Sequence, residues 1–166
     1  DILGKYNDRE GIVIDTRFNG GGRLHEDIEI LFSGKKYFTQ VVRGREACDM
    51  PSRRWNKPSI MVTCEANYSN AHGTPWVYQH QGIGKVVGMP VPGTMTSVSW
   101  ETLQDPTLYF GIPIVGYRLP DGSYLENKQL EPDVKIANSP EKIIKGEDEQ
   151  LKTAVKELLK EIDSKK

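Results

Sequence analysis

The chain has 166 residues, 37% hydrophobic and 27% charged, with 22 Lys plus Arg against 23 Asp plus Glu and a net charge of −1. That length suits one domain with a real core. The near-zero charge gives no reason to expect nucleic acid or an anionic membrane as partner, and no apolar run is long enough to span a bilayer. The start, Asp1-Ile2-Leu3-Gly4-Lys5, has no initiator Met and no basic-then-apolar leader. The chain therefore reads as a piece of a longer protein whose targeting region lies outside it.

Gly11 to Asp15 is a short apolar run bounded by turn signals and suits a central strand. Gly20-Gly21-Gly22 make a turn, and Leu24, Ile28 and Leu31, with Ile30 and Phe32, give a helical stripe from about Arg23 to Phe32, ended by Ser33-Gly34. Tyr37 to Val42 is strand-like, and the polar stretch Arg43 to Lys57 reads as a loop. Ser59 to Cys64 is a buried strand that runs through Glu65–Tyr68 into a helix from about Ser69 to Gln81. Lys85 to Gly88 is a further strand. Two prolines make Pro90 to Thr94 a loop. Met95 to Leu103 and Leu108 to Ile112 form a predicted hairpin around Gln104-Asp105-Pro106. Pro113 to Arg118 and Tyr124-Leu125 flank the turn Pro120-Asp121-Gly122, and Pro132 to Ile136 is a last short strand. The final helix is capped by Asp148, with Leu151, Val155, Leu158, Leu159 and Ile162 on one apolar face packed against the sheet. Strands alternate with helices first and meander later. The expected fold is an α/β layered domain with a mixed β-sheet and flanking helices.

Ser69 stands where a buried strand turns into a helix, a corner that can expose a hydroxyl. The glycine turn follows a neighbouring strand. Free N–H groups at such helix starts can hold a developing negative charge, a combination suited to acyl transfer. Each feature alone has an ordinary reading: Ser69 as an N-cap, three glycines as a tight turn. No Gly-Lys-Ser/Thr follows the glycines, so they are not a phosphate loop. His25, His72 and His80 read as surface helix residues; His72 shares a helix face with Ser69 but is too close along the helix to align for proton transfer. Cys48 and Cys64 have no metal or CxxC spacing. Cys64 reads as a buried small hydrophobe, with a reactive thiol or a disulfide to Cys48 as the other readings. Asn67-Tyr68-Ser69 fits the glycosylation pattern, but a corner feeding a helix is a poor acceptor. No metal or organic cofactor is expected, since none of the three His and two Cys sits at ligand spacing.

Four motifs occur in order. Gly11-Ile12-Val13-Ile14-Asp15-Thr16-Arg17-Phe18-Asn19-Gly20-Gly21-Gly22 resembles the strand-plus-glycine-turn signature of the tail-specific and tricorn serine peptidases. Asn67-Tyr68-Ser69-Asn70-Ala71-His72 resembles that family's nucleophile segment. Gly82 to Thr94 is similar to the segment after the nucleophile helix, and Tyr124-Leu125-Glu126-Asn127 with Leu130-Glu131-Pro132-Asp133 matches the closing signature. The resemblance runs from Gly11 to the C-terminus. It implies a crotonase/Clp-like peptidase core, with residues 1–166 as the C-terminal portion of a catalytic domain and any PDZ or propeller domains elsewhere. It implies Ser69 as nucleophile, the N–H of Asn70 with that of Gly21 or Gly22 as oxyanion hole, and Glu126 as support for the catalytic hydrogen-bond network. The implied partner is a peptide or protein substrate. Substrate preference, compartment and oligomeric state, including a homo-oligomer, stay open.

One departure bears on the mechanism. Tail-specific proteases use a lysine base in Gly-Lys-Gly, where this chain has Gly93-Thr94-Met95. The tricorn branch uses a histidine from a Ser-His pair well before the glycine turn, and no histidine precedes Gly11 here. A serine without a base is a weak nucleophile, so the expectation is a correctly folded, largely inactive half-site. The alternative is a pseudopeptidase that binds peptide without cutting it, which Thr94 and Asn70, in place of the usual Asp, also fit. A crotonase-type thioester enzyme would not need the Ser69 segment.

Overall fold

The computed structural model describes residues 2–165. A first helical turn, α1 (Ile2–Lys5), leads to β1 (Ile12–Asp15) and α2 (Leu24–Ser33). β2 (Phe38–Val42) and β3 (Arg45–Met50) pair antiparallel as a ribbon. β4 (Ser59–Thr63), α3 (Asn70–His80) and β5 (Lys85–Gly88) follow, then a second antiparallel ribbon of β6 (Ser97–Thr102) and β7 (Tyr109–Val115). β8 (Val134–Lys135), the short α4 (Pro140–Ile143) and α5 (Glu149–Ser164) complete the chain.

Four strands form the central sheet in the order β1-β4-β5-β8, all parallel. Strand directions mix between sheets, since the antiparallel pairs are the two separate ribbons. β4 is buried at all five residues, as a central strand covered on both faces must be. Its side chains alternate between two cores. Ile60 and Val62 join Val87, Ala154, Leu158 and Ile162 under α5, while Met61 joins Ile28, Tyr78 and Val86 under α2 and α3. Helices thus cover both faces.

Two expectations need correction. Arg43 to Lys57 is not all loop, because Arg45–Met50 is β3. Its side chains are mostly exposed on both faces, so burial left no alternation in the sequence to read. The α5 face is rotated: Gln150, Ala154, Leu158 and Ile162 are buried, while Leu151, Val155 and Leu159 are exposed. The cause lies in the first turn. Gln150 donates from Nε2 to the Ile136 carbonyl and from its N–H to Asn138 Oδ1, and its Oε1 accepts from Arg17. Turning Gln150 inward turns Ala154, Leu158 and Ile162 inward with it. Asp148 does cap α5, its carboxylate accepting the Leu151 N–H at 2.9 Å.

Candidate active site

β1 and β4 are parallel neighbours, with Asp15 beside Val62. Their C-terminal ends therefore share one edge of the sheet, the edge where open α/β sheets place their sites. The segments leaving these strands are held together side by side. The Thr16 N–H and hydroxyl both donate to the Val62 carbonyl, and Asn67 Nδ2 donates to Thr16 Oγ1. The Phe18 N–H donates to Cys64 Sγ at 3.3 Å, and the Tyr68 N–H to the Asn19 carbonyl at 3.0 Å. Asn67 is buried, in keeping with a structural role. Cys48 and Cys64 are both free thiols, Cys64 buried and Cys48 exposed.

Ser69 immediately precedes α3 with φ 56° and ψ −126°. For a residue with a Cβ this is a strained backbone, the conformation of a sharp strand-to-helix corner that lifts a serine out of the chain. Its N–H donates to Thr94 Oγ1 at 3.0 Å. Among the described residues no group is hydrogen-bonded to the Ser69 hydroxyl, and no described histidine or lysine activates it in this state. α3 accommodates Pro75 in its interior. Proline has no N–H for the Ala71 carbonyl, and Asn67 Nδ2 supplies one instead at 3.3 Å.

The glycine turn packs directly on this corner. A Cβ on Gly21 would lie 2.8 Å from Ser69 Cβ and 3.1 Å from Ser69 Oγ. Gly21 also has φ +115°, so both space and backbone require glycine there. The Gly21 N–H donates to Asn19 Oδ1 at 2.8 Å and so is already engaged. Among the described residues the N–H groups of Gly22 and Asn70 have no acceptor.

Glu126 is half-buried and accepts the Thr96 N–H at 2.7 Å. It makes no bond to Ser69. The link runs through the backbone: the Asn127 N–H donates to the Gly93 carbonyl, and the next residue, Thr94, holds the Ser69 N–H. Thr94 acts as an anchor of the corner, a role its sequence position did not suggest.

Two histidines depart from the surface reading. His72 is fully buried, and neither ring nitrogen finds a hydrogen-bond partner among the described residues. Burial holds its pKa below the usual imidazole value, with the nearby Lys128 backbone and Glu126 charge pulling weakly the other way. His25 is half-buried, and its Nδ1 lies 2.7 Å from Asn70 Nδ2. His80 is exposed and stacks on Trp76 at 4.4 Å. Among the described residues no three His, Cys, Asp or Glu side chains gather as a metal site, and no helix is long and apolar enough to cross a membrane.

Comparison with known proteins shows the family. Residues 2–136 match the model of peptidase family S41, and the chain belongs to that family. It is 25% identical over 154 residues to the tricorn protease of Thermoplasma acidophilum and 28% identical over 152 residues to tricorn protease homolog 1 of Streptomyces coelicolor. These alignments cover 92% and 89% of this chain but 14% of either relative, so the chain spans about one seventh of their length. A crystal structure of the tricorn protease superposes with a TM-score of 0.80 at 24% identity, covering 93% of this chain and 15% of that one, and shares its fold.

Proposed function

We propose that this chain carries the nucleophile half of a serine peptidase site and that Ser69 forms an acyl-enzyme with a peptide substrate. The observation that carries this reading is the strained Ser69 corner seated on Gly21, at the sheet edge where the glycine turn also ends. In the proposed reaction Ser69 Oγ attacks the scissile carbonyl, and its proton passes to a base. The carbonyl oxygen gathers charge, which the Gly22 and Asn70 N–H groups stabilise. Gly21 is the close-packed floor of the site, since its own N–H is bound to Asn19. Glu126 supports the base from the closing segment. As the intermediate collapses, the C–N bond breaks and the base gives the proton it took from Ser69 to the leaving amine. The same base then takes a proton from water, which attacks the acyl-enzyme, and returns that proton to Ser69 Oγ as the carboxylic acid leaves.

None of the described residues stands at Ser69 as that base. An unassisted serine is slow by the factor a general base contributes, about 10²–10⁴. The isolated 166-residue chain is therefore expected to react with a fluorophosphonate at least about 100-fold more slowly than the protein in its native form. The decisive experiment maps the label by mass spectrometry. Label on Ser69 in the native form, lost in Ser69→Ala with the fold retained, is the expected result. Label on another residue, or none, would remove the serine mechanism.

The bare Ser69 hydroxyl and Thr94 in the lysine position also suit a second reading, peptide binding without hydrolysis. Peptide bound by an unlabelled native protein would favour it.

A further inference from the structure

The side chain of Asn70 ties the two elements of the proposed site together. It is buried, and it reaches across to the start of α2. Its Oδ1 accepts the N–H of Leu24 at 2.8 Å and that of His25 at 3.3 Å. These are first-turn donors that need a cap, and Arg23, at the N-cap position, supplies none. α2 is thus capped by the residue following Ser69, some 45 positions away in sequence. The Thr74 hydroxyl adds a third contact to Oδ1 at 3.2 Å.

This arrangement determines the state of His25. Backbone N–H groups only donate, so the Asn70 atom facing Leu24 and His25 must be oxygen. Nδ2 then points the other way, at His25 Nδ1, 2.7 Å distant. An amide NH2 also only donates, so Nδ1 must present a lone pair. A neutral imidazole with a bare Nδ1 carries its proton on Nε2. The ring stands edge-on to Tyr117, with centroids 6.4 Å apart.

We propose that His25 and Asn70 are a positioning pair, in which neutral His25 orients the Asn70 amide so that Asn70 holds the start of α2 against the Ser69 corner and sets the spacing of the two oxyanion donors. Gly22 lies two residues before Leu24, and Asn70 supplies the second donor from its own backbone. One side chain therefore fixes both ends of the gap. Neither side chain touches the reacting atoms; both act through the backbone that Asn70 holds. The inference rests on the serine reading above, but part of its test does not.

That part is NMR on the ¹⁵N-labelled protein in its native form. The His25 ring should show a protonated Nε2 and a bare Nδ1. Hydrogen exchange at the Leu24 and His25 amides should speed up at least about 10-fold in Asn70→Ala, as expected when a cap is removed. A proton on Nδ1, or unchanged exchange, overturns the pair whatever the protein catalyses. The second part reads the reaction in the native form. His25→Ala should slow phosphonylation of Ser69 by about 10- to 100-fold, the scale of a small misplacement, with KM for a peptide substrate unchanged. His25→Asn, which returns an acceptor near the place of Nδ1, should restore most of the rate. A purely structural role would instead lower stability and raise KM in both variants. Wild-type rates in His25→Ala, or no rescue by His25→Asn, overturn the positioning role. A wild-type protein unlabelled at Ser69 sinks the serine reading, a result distinct from either NMR failure.

Discussion

The Ser69 corner and the α5 flank lie on the same sheet and are built by opposite rules. At the flank the backbone is regular, and the one buried polar side chain, Gln150, is fully hydrogen-bonded, although the apolar Leu151, Val155 and Leu159 stay exposed. Asp148 caps the helix, and Ala154, Leu158 and Ile162 fill the core beneath it. At the corner several local preferences are overridden. Phe18 and Ser69 have positive φ, Pro75 sits inside a helix, and His72 is buried with no hydrogen-bond partner for its ring among the described residues. Each departure costs stability, and the dense bonding of Thr16, Asn19, Asn67, Asn70 and Thr94 holds the corner in place. Backbone strain gathered at one sheet edge, beside a flank of regular backbone, is what the proposed function would require there.

The largest expected effect breaks the corner. Gly21→Ala and Gly22→Ala both force a side chain onto a positive-φ backbone, at about 1–3 kcal/mol each. Only Gly21 has Ser69 within contact; a Cβ on Gly22 would meet nothing within 4 Å. Gly21→Ala should therefore also push Ser69 aside and slow its labelling in the native form by about 100-fold or more. Gly22→Ala should lose stability similarly but keep far more of its labelling rate. Equal labelling losses in the two variants would show that backbone strain, and not the Ser69 contact, controls the site.

A comparable stability effect without any chemistry is expected at the flank. Leu158 is 6% exposed, so Leu158→Ala should lower stability by about 2–5 kcal/mol. Leu159 is 52% exposed, and Leu159→Ala should change stability by less than about 0.5 kcal/mol. Denaturant unfolding of the two variants measures the rotation of α5 directly. Equal losses would mean that the helix docks through the stripe Leu151-Val155-Leu159 instead.

This contrast also explains what the sequence could and could not reveal. The central strands were legible because β4 and β5 are continuous apolar runs, and the Asp148 cap because capping is local. The rotation of α5 was not, because the inward turn of Gln150 depends on Arg17, Ile136 and Asn138, which are distant in sequence. β3 was missed because an exposed ribbon strand carries no burial pattern. At the site, the positions of Ser69 and the glycine turn followed from strand order and family motifs. Three contacts did not: Asn70 capping α2, Thr94 holding the Ser69 N–H, and the Gly21 N–H turned to Asn19. Each joins a side chain to backbone whose position only the folded chain defines. Only the last had a local signal, since Asn two residues before a glycine commonly bonds it in an Asx turn.

The smallest effect separates the two regions by pH. Burial lowers the pKa of His72 in the folded state. The unfolded chain therefore takes up that proton first, and the corner loses stability as pH falls below the unfolded value near 6.5. Asp148 has the opposite history. Its hydrogen bond to Arg17 outweighs the cost of burial and, with help from the Leu151 N–H, brings its pKa down to about 2. A depressed carboxylate contributes stability above its unfolded value of 3.8 that is lost as pH falls through about 2. The Asp148 side chain is 32% exposed, so solvent screening reduces that contribution to about 1 kcal/mol. Melting temperature should therefore fall in two steps on acidification, the first beginning near pH 6.5 and the second below about pH 4. His72→Leu should flatten the first step and leave the second. Asp148→Asn should leave the first and shrink the second only in part, because Glu149, held down to about 2 by Lys142, and Asp15, lowered by Arg17, titrate in the same acid range. A first step that survives His72→Leu would place the acid-sensitive group elsewhere and end the claim that the corner carries it.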